Sequence, residues 1–266
     1  MSITFRVFAD LHYIDEIPNW PEKRKLVEYS EVLLEKLIKS TNSNKELKFI
    51  INLGDLIQAT GNKEKDIKNT KYIKDKVNSI KIDKYNILGN HELKSFESNK
   101  EILNIFDYSQ SSYSFDYENY HFIVIGTDIN NDDEKYKTQY VSKEDLRWIR
   151  EDLKNNKEKS IIIFCHFGII DDKDIMQNYW AYSENGESLM LRNRKEILEI
   201  LSNYNVIGMF CGHQHWTKKL PYKNIYCYML GSLTESINND GNPDGVYFDV
   251  VLNGKNIRVE EKHIRI

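Results

Sequence analysis

The chain has 266 residues, 40% of them hydrophobic and 29% charged, enough apolar side chain to bury a sizeable core and too much for a disordered chain. Charge is nearly balanced, with 37 basic against 41 acidic residues and a net −4, so no global positive field exists for holding a nucleic-acid backbone or an anionic membrane. An anionic ligand must therefore meet a local positive site.

Short apolar runs alternate with longer amphipathic stretches. Ile3 to Ala9 reads as a buried strand. Pro21 then opens a helix whose Leu26, Val27, Ser30, Leu33, Leu34, Leu37 and Ile38 fall on one 3.6-period face. Phe49 to Leu53, Tyr85 to Leu88 and His121 to Ile125 are further strands, rich in Ile, Val and Phe. Ser142 caps a second helix on which Leu146, Ile149 and Leu153 recur at i, i+3 and i+7. Ile161 to Phe164 is a strand, Arg192 to Tyr204 a helix, and Val206 to Phe210 a strand. Beyond residue 220 only strand-like pieces follow, Ile225 to Leu230, Gly245 to Leu252 and Ile257 to Ile264, separated by Asn-Pro-Asp-Gly and Asn-Gly-Lys turns, which predicts an antiparallel meander. Lysine- and asparagine-rich stretches at 40–48, 61–76 and 154–159 read as solvated loops or helix faces. Alternating βα units followed by a meander predict a layered α/β sandwich with two sheets, and one domain over 1–266.

Three cysteines, Cys165, Cys211 and Cys227, are too few and too scattered for a disulfide framework. They fit a reducing, cytoplasmic setting, and Cys165 and Cys211 are expected to face the core as small hydrophobes. The first ten residues lack an export signal. The most apolar run, Ile161 to Ile170, carries His166 in its middle and falls far short of the ~20 residues a membrane span needs.

The informative feature is how the strands end. Ile3 to Ala9 runs into Asp10-Leu-His12, Phe49 to Leu53 into Gly54-Asp55, and Tyr85 to Leu88 into Gly89-Asn90-His91-Glu92. Downstream, Ile161 to Phe164 runs into Cys165-His166, and Val206 to Phe210 into Cys211-Gly212-His213-Gln214-His215. In open α/β sheets the carboxyl ends of strands line one crevice, so these residues can converge. The set Asp10, His12, Asp55, Asn90, His166, His213 and His215 is mixed oxygen and nitrogen without thiolate, which suits Mn, Fe or Zn. Seven donors exceed what one ion needs, whereas two ions sharing a bridging carboxylate use them all. The paired donors in Asp-x-His and His-x-His need non-helical backbone, and glycines 54, 89 and 212 permit tight turns.

In this order, the motifs D-x-H, G-D, G-N-H-E, a lone His and G-H-x-H resemble the calcineurin-like metallophosphoesterase superfamily, over residues 10 to 215. The resemblance implies a four-layer αββα sandwich of two mixed sheets flanked by helices. It implies that Asp10, His12, Asp55 and His215 bind one metal and Asp55, Asn90, His166 and His213 the second, with Asp55 bridging. His91, not a ligand in this family, is implied to protonate the leaving group or to stabilise transition-state charge. Such a site, with a bridging hydroxide, retains a net charge of about +1 and attracts a phosphate ester, and the hydroxide attacks phosphorus in line without a covalent enzyme intermediate. Other residues stay open. Glu92 either orients a neighbour or is solvated, and Arg192 and Arg194 either reach a second phosphate or start a solvated helix. His121 and His263 carry no assigned function.

The polar insert 171–191, with Asn178-Tyr179-Trp180 and Tyr182, has the length of a lid or substrate-binding loop, its aromatics stacking on a nucleobase or serving as packing anchors. After Gly54-Asp55 the chain reads Leu-Ile-Gln-Ala-Thr, without the Asp-Arg-Gly of protein Ser/Thr phosphatases, and Gln58 stands where purple acid phosphatases place a tyrosine ligand. Class III cyclic-nucleotide phosphodiesterases are similar in size, in all five motifs and in an Asp-Leu-x-Trp-Ile helix. Manganese-dependent ADP-ribose/CDP-alcohol diphosphatases are similar in D-x-x-Y, G-N-H-E and the segment Gly231 to Glu235, although they carry glutamine where this chain has His12. The expected function is hydrolysis of a small phosphodiester or nucleotide diphosphate, with a small phosphorylated or nucleotide-like partner and neither duplex nucleic acid nor membrane. The alternatives are a broad phosphomonoesterase, a nuclease or a non-catalytic scaffold on the same fold.

Overall fold

The computed structural model describes residues 2–17, 24–171, 187–238 and 240–266. Pro21 and most of the predicted insert, residues 172–186 with their aromatics, lie outside the described residues. Eleven strands are present among those described: β1 Ser2–Phe8, β2 Leu47–Asn52, β3 Asp83–Asn86, β4 Tyr113–Tyr117, β5 Tyr120–Ile125, β6 Ser160–Cys165, β7 Val206–Cys211, β8 Lys218–Tyr222, β9 Ile225–Met229, β10 Val246–Asn253 and β11 Asn256–His263. The helices are α1 Ser30–Ser43, α2 Lys63–Asn78, α3 Asn90–Leu93, α4 Asn99–Ile105, α5 Lys143–Asn155 and α6 Arg194–Leu201.

The strands form two mixed sheets, ordered β11-β10-β1-β2-β3 and β4-β5-β6-β7-β9-β8. In the first, β1, β2 and β3 run parallel while β10 and β11 are antiparallel. In the second, β5, β6, β7 and β9 run parallel, with antiparallel edges β4 and β8. Both faces of the central strands are covered, which is why they read as unbroken apolar runs. Phe5 stacks on Phe49 within the first sheet, ring centroids 4.7 Å apart, and meets Phe122, Phe164 and Phe210 of the second sheet edge-on at 5.8, 5.8 and 5.9 Å. Edge-to-face pairs of this kind add to the area they bury. Outside the first sheet, Leu33, Leu34 and Leu37 of α1 pack with Ile73 and Val77 of α2 and Ile102 of α4. Outside the second, Leu146, Ile149 and Leu153 of α5 pack with Ile197 and Leu201 of α6. The four-layer αββα sandwich is thus present.

One expectation changes, two strands have no counterpart in the sequence reading, and one stretch takes the second of its two readings. The C-terminal strands are not one antiparallel meander. β9 lies parallel to β7, and the chain then crosses to the other sheet, where β10 pairs with β1; turn residues mark a reversal but not which sheet receives the next strand. Edge strands β4 and β8, half-exposed and polar, give no apolar run. The lysine-rich stretch at 61–76 is mostly α2, capped by the Asn62 side chain, which accepts the Lys65 N–H. Cys165, Cys211 and Cys227 are buried free thiols on neighbouring strands, their sulfurs 3.5 and 3.2 Å apart in sequence order, within the apolar layer.

Candidate metal centre

The parallel strands of both sheets deliver their carboxyl ends to one edge of the sandwich. Beyond β1 and β2 the chains stay zipped: Leu53 N–H donates to Phe8 O at 2.8 Å, Asp10 N–H to Gly54 O at 3.0 Å, and His12 N–H to Asp55 O at 3.0 Å. Beyond β6 and β7, Gly212 N–H donates to His166 O at 3.0 Å. The Asp10 carboxylate then joins the two sheets by accepting the His213 N–H through both oxygens, at 3.0 and 3.2 Å. Asp10, His12, Asp55, His213 and His215 all have positive φ, between 51° and 66°. Asp and His tolerate this left-handed region better than most residues, and only the surrounding structure can hold five of them there. Two glycines make room. A Cβ on Gly54 would sit 2.5 Å from His166 Nδ1, and one on Gly89 2.1 Å from Asp55 Oδ1.

All seven predicted donors meet at this edge. Asp10, His12 and His215 offer ligand atoms within 4.8 Å of one another, as do Asp55, His166 and His213. Asp55 lies between them. Its Oδ2 is 3.9 Å from His12 Nε2, and its Oδ1 is 3.5 Å from His166 Nε2. Asn90 joins the second set, its Oδ1 3.0 Å from His166 Nε2. In three of the four rings one nitrogen is committed to holding it: His166 Nδ1 to Leu53 O at 2.8 Å, His213 Nε2 to Ser188 O at 3.0 Å, and His215 Nδ1 to Glu235 at 2.9 Å. Each remaining nitrogen is thereby oriented for a cation. The Nε2 atoms of His12 and His215 face each other at 3.0 Å, and buried His12 Nδ1 has no hydrogen-bond partner among the described residues. With His12 protonated on Nε2 the contact is an N–H···N hydrogen bond, and without that proton both Nε2 lone pairs converge where a cation can be held. The oxygen and nitrogen donor set fits a pair of metal cations.

The electrostatics agree. Burial resists a proton on His166, but Asp55 and Asp10 outweigh it and raise its pKa to about 9; the same negative field favours a metal cation. Burial, with His166 beside it, holds His213 well below the ordinary range, and burial with Lys25 does the same to His12. Burial opposes ionisation of Asp55 as well, yet the histidines His166 and His91 around it keep it well below the carboxylate range.

His91 is brought to the same edge, its Nε2 3.9 Å from Asp55 Oδ2 and its ring 4.7 Å from that of His12. The Ala59 N–H donates to His91 Nδ1 at 3.0 Å, so Nδ1 holds a lone pair and the proton resides on Nε2, facing the site. Burial drives the His91 pKa down to about 3, which keeps the ring neutral.

Glu92 is not solvated. It is buried and accepts the N–H groups of Asp55 at 2.9 Å, Gly89 at 2.7 Å and Ile57 at 3.0 Å, locking the two loops that carry Asp55 and Asn90. Arg192 and Arg194 pair with Glu187, and Arg194 also with Asp171 at 2.7 Å, so they brace the rim. Two contributors stand outside the predicted site set, although Glu235 ends the segment Gly231 to Glu235 that carries part of a resemblance. Glu235 holds His215 from 20 residues away and is itself held by Arg24 at 3.0 Å. Lys25 pairs in backbone with Glu235, reaches Gln58 Oε1 at 3.4 Å and adds positive charge near Asp55 and Asp10. No helix among the described residues is long and apolar enough to cross a membrane.

No curated protein matches this sequence. Among solved structures, the chain is similar to a dimetal phosphatase from Danio rerio, with 16% identity, TM-score 0.75, and 98% of this chain and 96% of that one covered. It is similar to PhoD at 12% identity and TM-score 0.62, covering 98% of this chain and 68% of that one. It is also similar to GAP50, the anchor in the inner membrane complex of Plasmodium, at 12% identity and TM-score 0.60, covering 100% and 89%. At these identities the likeness is one of fold. The calcineurin-like phosphoesterase family model matches residues 3–217, most of the chain and every strand end described above. The chain belongs to the calcineurin-like phosphoesterase family.

Proposed function

We propose that the protein is a dinuclear metal-dependent phosphohydrolase that cleaves a small phosphodiester or nucleotide diphosphate. The observation that carries this reading is the placement of Asp55, whose two oxygens face two separate donor sets, one toward His12 and one toward His166. On this reading Asp10, His12, Asp55 and His215 hold one cation, and Asp55, Asn90, His166 and His213 the other. A bound pair of Mn, Fe or Zn ions supplies an acidified water and neutralises charge on the phosphoryl oxygens.

The chain's own residues do the rest. Glu92 and Glu235 keep the donors oriented, and Lys25 adds local positive charge for an anionic substrate in a protein of net −4. His91 presents Nε2–H to the site while Nδ1 accepts from Ala59. It therefore donates a hydrogen bond to the charge that develops on phosphoryl or leaving oxygen, the second of the two roles its position implies. The fold also occurs in an anchor protein, but all seven donor positions are filled here. Hydrolysis of bis-p-nitrophenyl phosphate and p-nitrophenyl phosphate with added Mn²⁺, together with metal analysis, tests the reading. Turnover with two ions per chain is expected. Two bound ions without turnover of either ester would favour a scaffold, and faster cleavage of the monoester would favour a phosphomonoesterase.

A further inference from the structure

The backbone rung between Lys25 and Glu235 decides where the Lys25 side chain goes. The two residues pair antiparallel, flanked by the Leu26 N–H donating to Thr234 O at 3.0 Å and the Ser236 N–H donating to Arg24 O at 2.7 Å. Residues opposite each other in such a pair carry their side chains on one face. Glu235 reaches His215 Nδ1 at 2.9 Å, so Lys25 is sent to the same side, toward the metal centre. Its ammonium ends 3.4 Å from Gln58 Oε1. Burial is the main force lowering the His12 pKa, and the Lys25 charge comes next, ahead of His91 and Asp55. At His91, after burial, only Asp55 acts more strongly than Lys25. Two rings at the metal centre thus register the ammonium as a near neighbour.

Gln58 belongs to a fixed turn. Its N–H donates to Tyr13 O at 2.8 Å, the Ile57 N–H to Glu92 at 3.0 Å and the Ala59 N–H to His91 Nδ1 at 3.0 Å. One short segment past Asp55 therefore holds both the amide that receives Lys25 and the ring that presents Nε2–H to the site. The bond from Lys25 to Gln58 is long and ends on a neutral amide. Lys25 forms no ion pair among the described residues, while Glu235 pairs with Arg24 and His215. An ammonium offers three donors, so two remain for a ligand or solvent. An ammonium also repels cations, and placing one beside a pair of metal ions is costly unless an anion touches both. A phosphoryl group meets that condition, with oxygens for the metals and a further one for the lysine.

We propose that Lys25 is a direct ligand of the substrate, its ammonium donating to a non-bridging phosphoryl oxygen on the side of the centre where His12 and His91 stand. The inference rests on the phosphohydrolase reading for what occupies the metals, and it deepens that reading by giving the phosphoryl group a ligand from the protein itself.

Titration calorimetry on the Mn²⁺-loaded protein, freed of excess metal, compares inorganic phosphate with fluoride. Both anions bind metal ions, but only phosphate has further oxygens with which to reach the lysine. Lys25→Met is expected to weaken phosphate binding by about 10–100-fold, the size of a charged hydrogen bond, and to leave fluoride binding nearly unchanged. Metal analysis and circular dichroism check that the variant is loaded and folded, and Lys25→Gln takes its place should the methionine variant not fold. The backbone pairing with Glu235 needs no side chain, so a lysine with only a structural role predicts unchanged phosphate affinity. That result, equal losses for both anions as a long-range field would give, or no phosphate binding by the wild-type protein overturns the proposal. Absence of turnover on the p-nitrophenyl esters would instead remove the hydrolytic reading, while the phosphate and fluoride affinities would still decide the role of Lys25.

Discussion

The second sheet carries buried histidines at both ends of its parallel strands, and the two ends differ in a useful way. At the start of β5, His121 has both ring nitrogens bonded to carboxylates, Nδ1 to Asp116 at 2.8 Å and Nε2 to Asp152 at 2.6 Å. Every polar atom of that ring is answered by the protein. Just past the end of β6, His166 has one nitrogen answered by a backbone carbonyl and the other among oxygens that can also ligate a cation, 3.0 Å from Asn90 Oδ1 and 3.5 Å from Asp55 Oδ1. Nearby, His12 and His215 confront each other nitrogen to nitrogen. Burial and residue type are the same at the two ends. A structural cluster closes its own hydrogen bonds, whereas a ligand-binding cluster leaves convergent lone pairs for something else to close.

The comparison breaks most visibly at Asp55, the carboxylate proposed to bridge the two ions. Asp55→Asn should reduce turnover of bis-p-nitrophenyl phosphate by more than the ~10²–10³-fold that loss of one electrostatic group costs, and metal analysis should find fewer than two ions per chain. His91→Ala comes next, with an expected loss of about 10²–10³-fold in kcat at unchanged metal content. If His91 donates to a phosphoryl oxygen, that loss is the same for good and poor leaving groups; a loss that grows steeply with leaving-group pKa would place it on the leaving oxygen as the proton donor. Glu235→Gln leaves His215 a weaker partner, and competition with a chelator should show metal affinity lower by roughly 10–100-fold.

The smallest effect sharpens the other side. His121→Leu should leave kcat unchanged and lower stability by about 1–3 kcal/mol, because two carboxylates lose their partner. Burial opposes charge on His121, but Asp152 and Asp116 outweigh it, so the folded pKa lies above the ordinary value. Charged His121 therefore contributes its full stability below pH ~6.5, the unfolded value, and loses it as pH rises through the higher folded value. Urea midpoints measured across that window should slope downward in the wild-type protein and lose this component in the variant.

How much of this is legible in the sequence depends on whether a residue's role is carried by its own neighbours in the chain. Strands buried on both faces advertise themselves as apolar runs, and Asp10, Asp55, Asn90, His166 and His213 each stand just past such a run. The convergence of these residues and the sandwich could therefore be read directly. Glu235 and Lys25 could not, since a charged residue in a polar loop has the same local pattern whether it meets water or a buried histidine. Strand β4, Tyr-Ser-Phe-Asp-Tyr, escaped because one sheet edge demands so little burial. The crossing from β9 to β10 escaped because pairing partners are a property of the assembled sheets.

The left-handed backbone at five donor positions has a consequence for how the protein handles its ions. Small zinc modules collapse when stripped, since the ion itself organises the chain. Here the cage is set by interstrand zippering and by Glu92, before any ion arrives. Dialysis against a chelator should accordingly leave the circular dichroism spectrum intact, and adding Mn²⁺ back should regenerate the loaded form without passage through an unfolded chain.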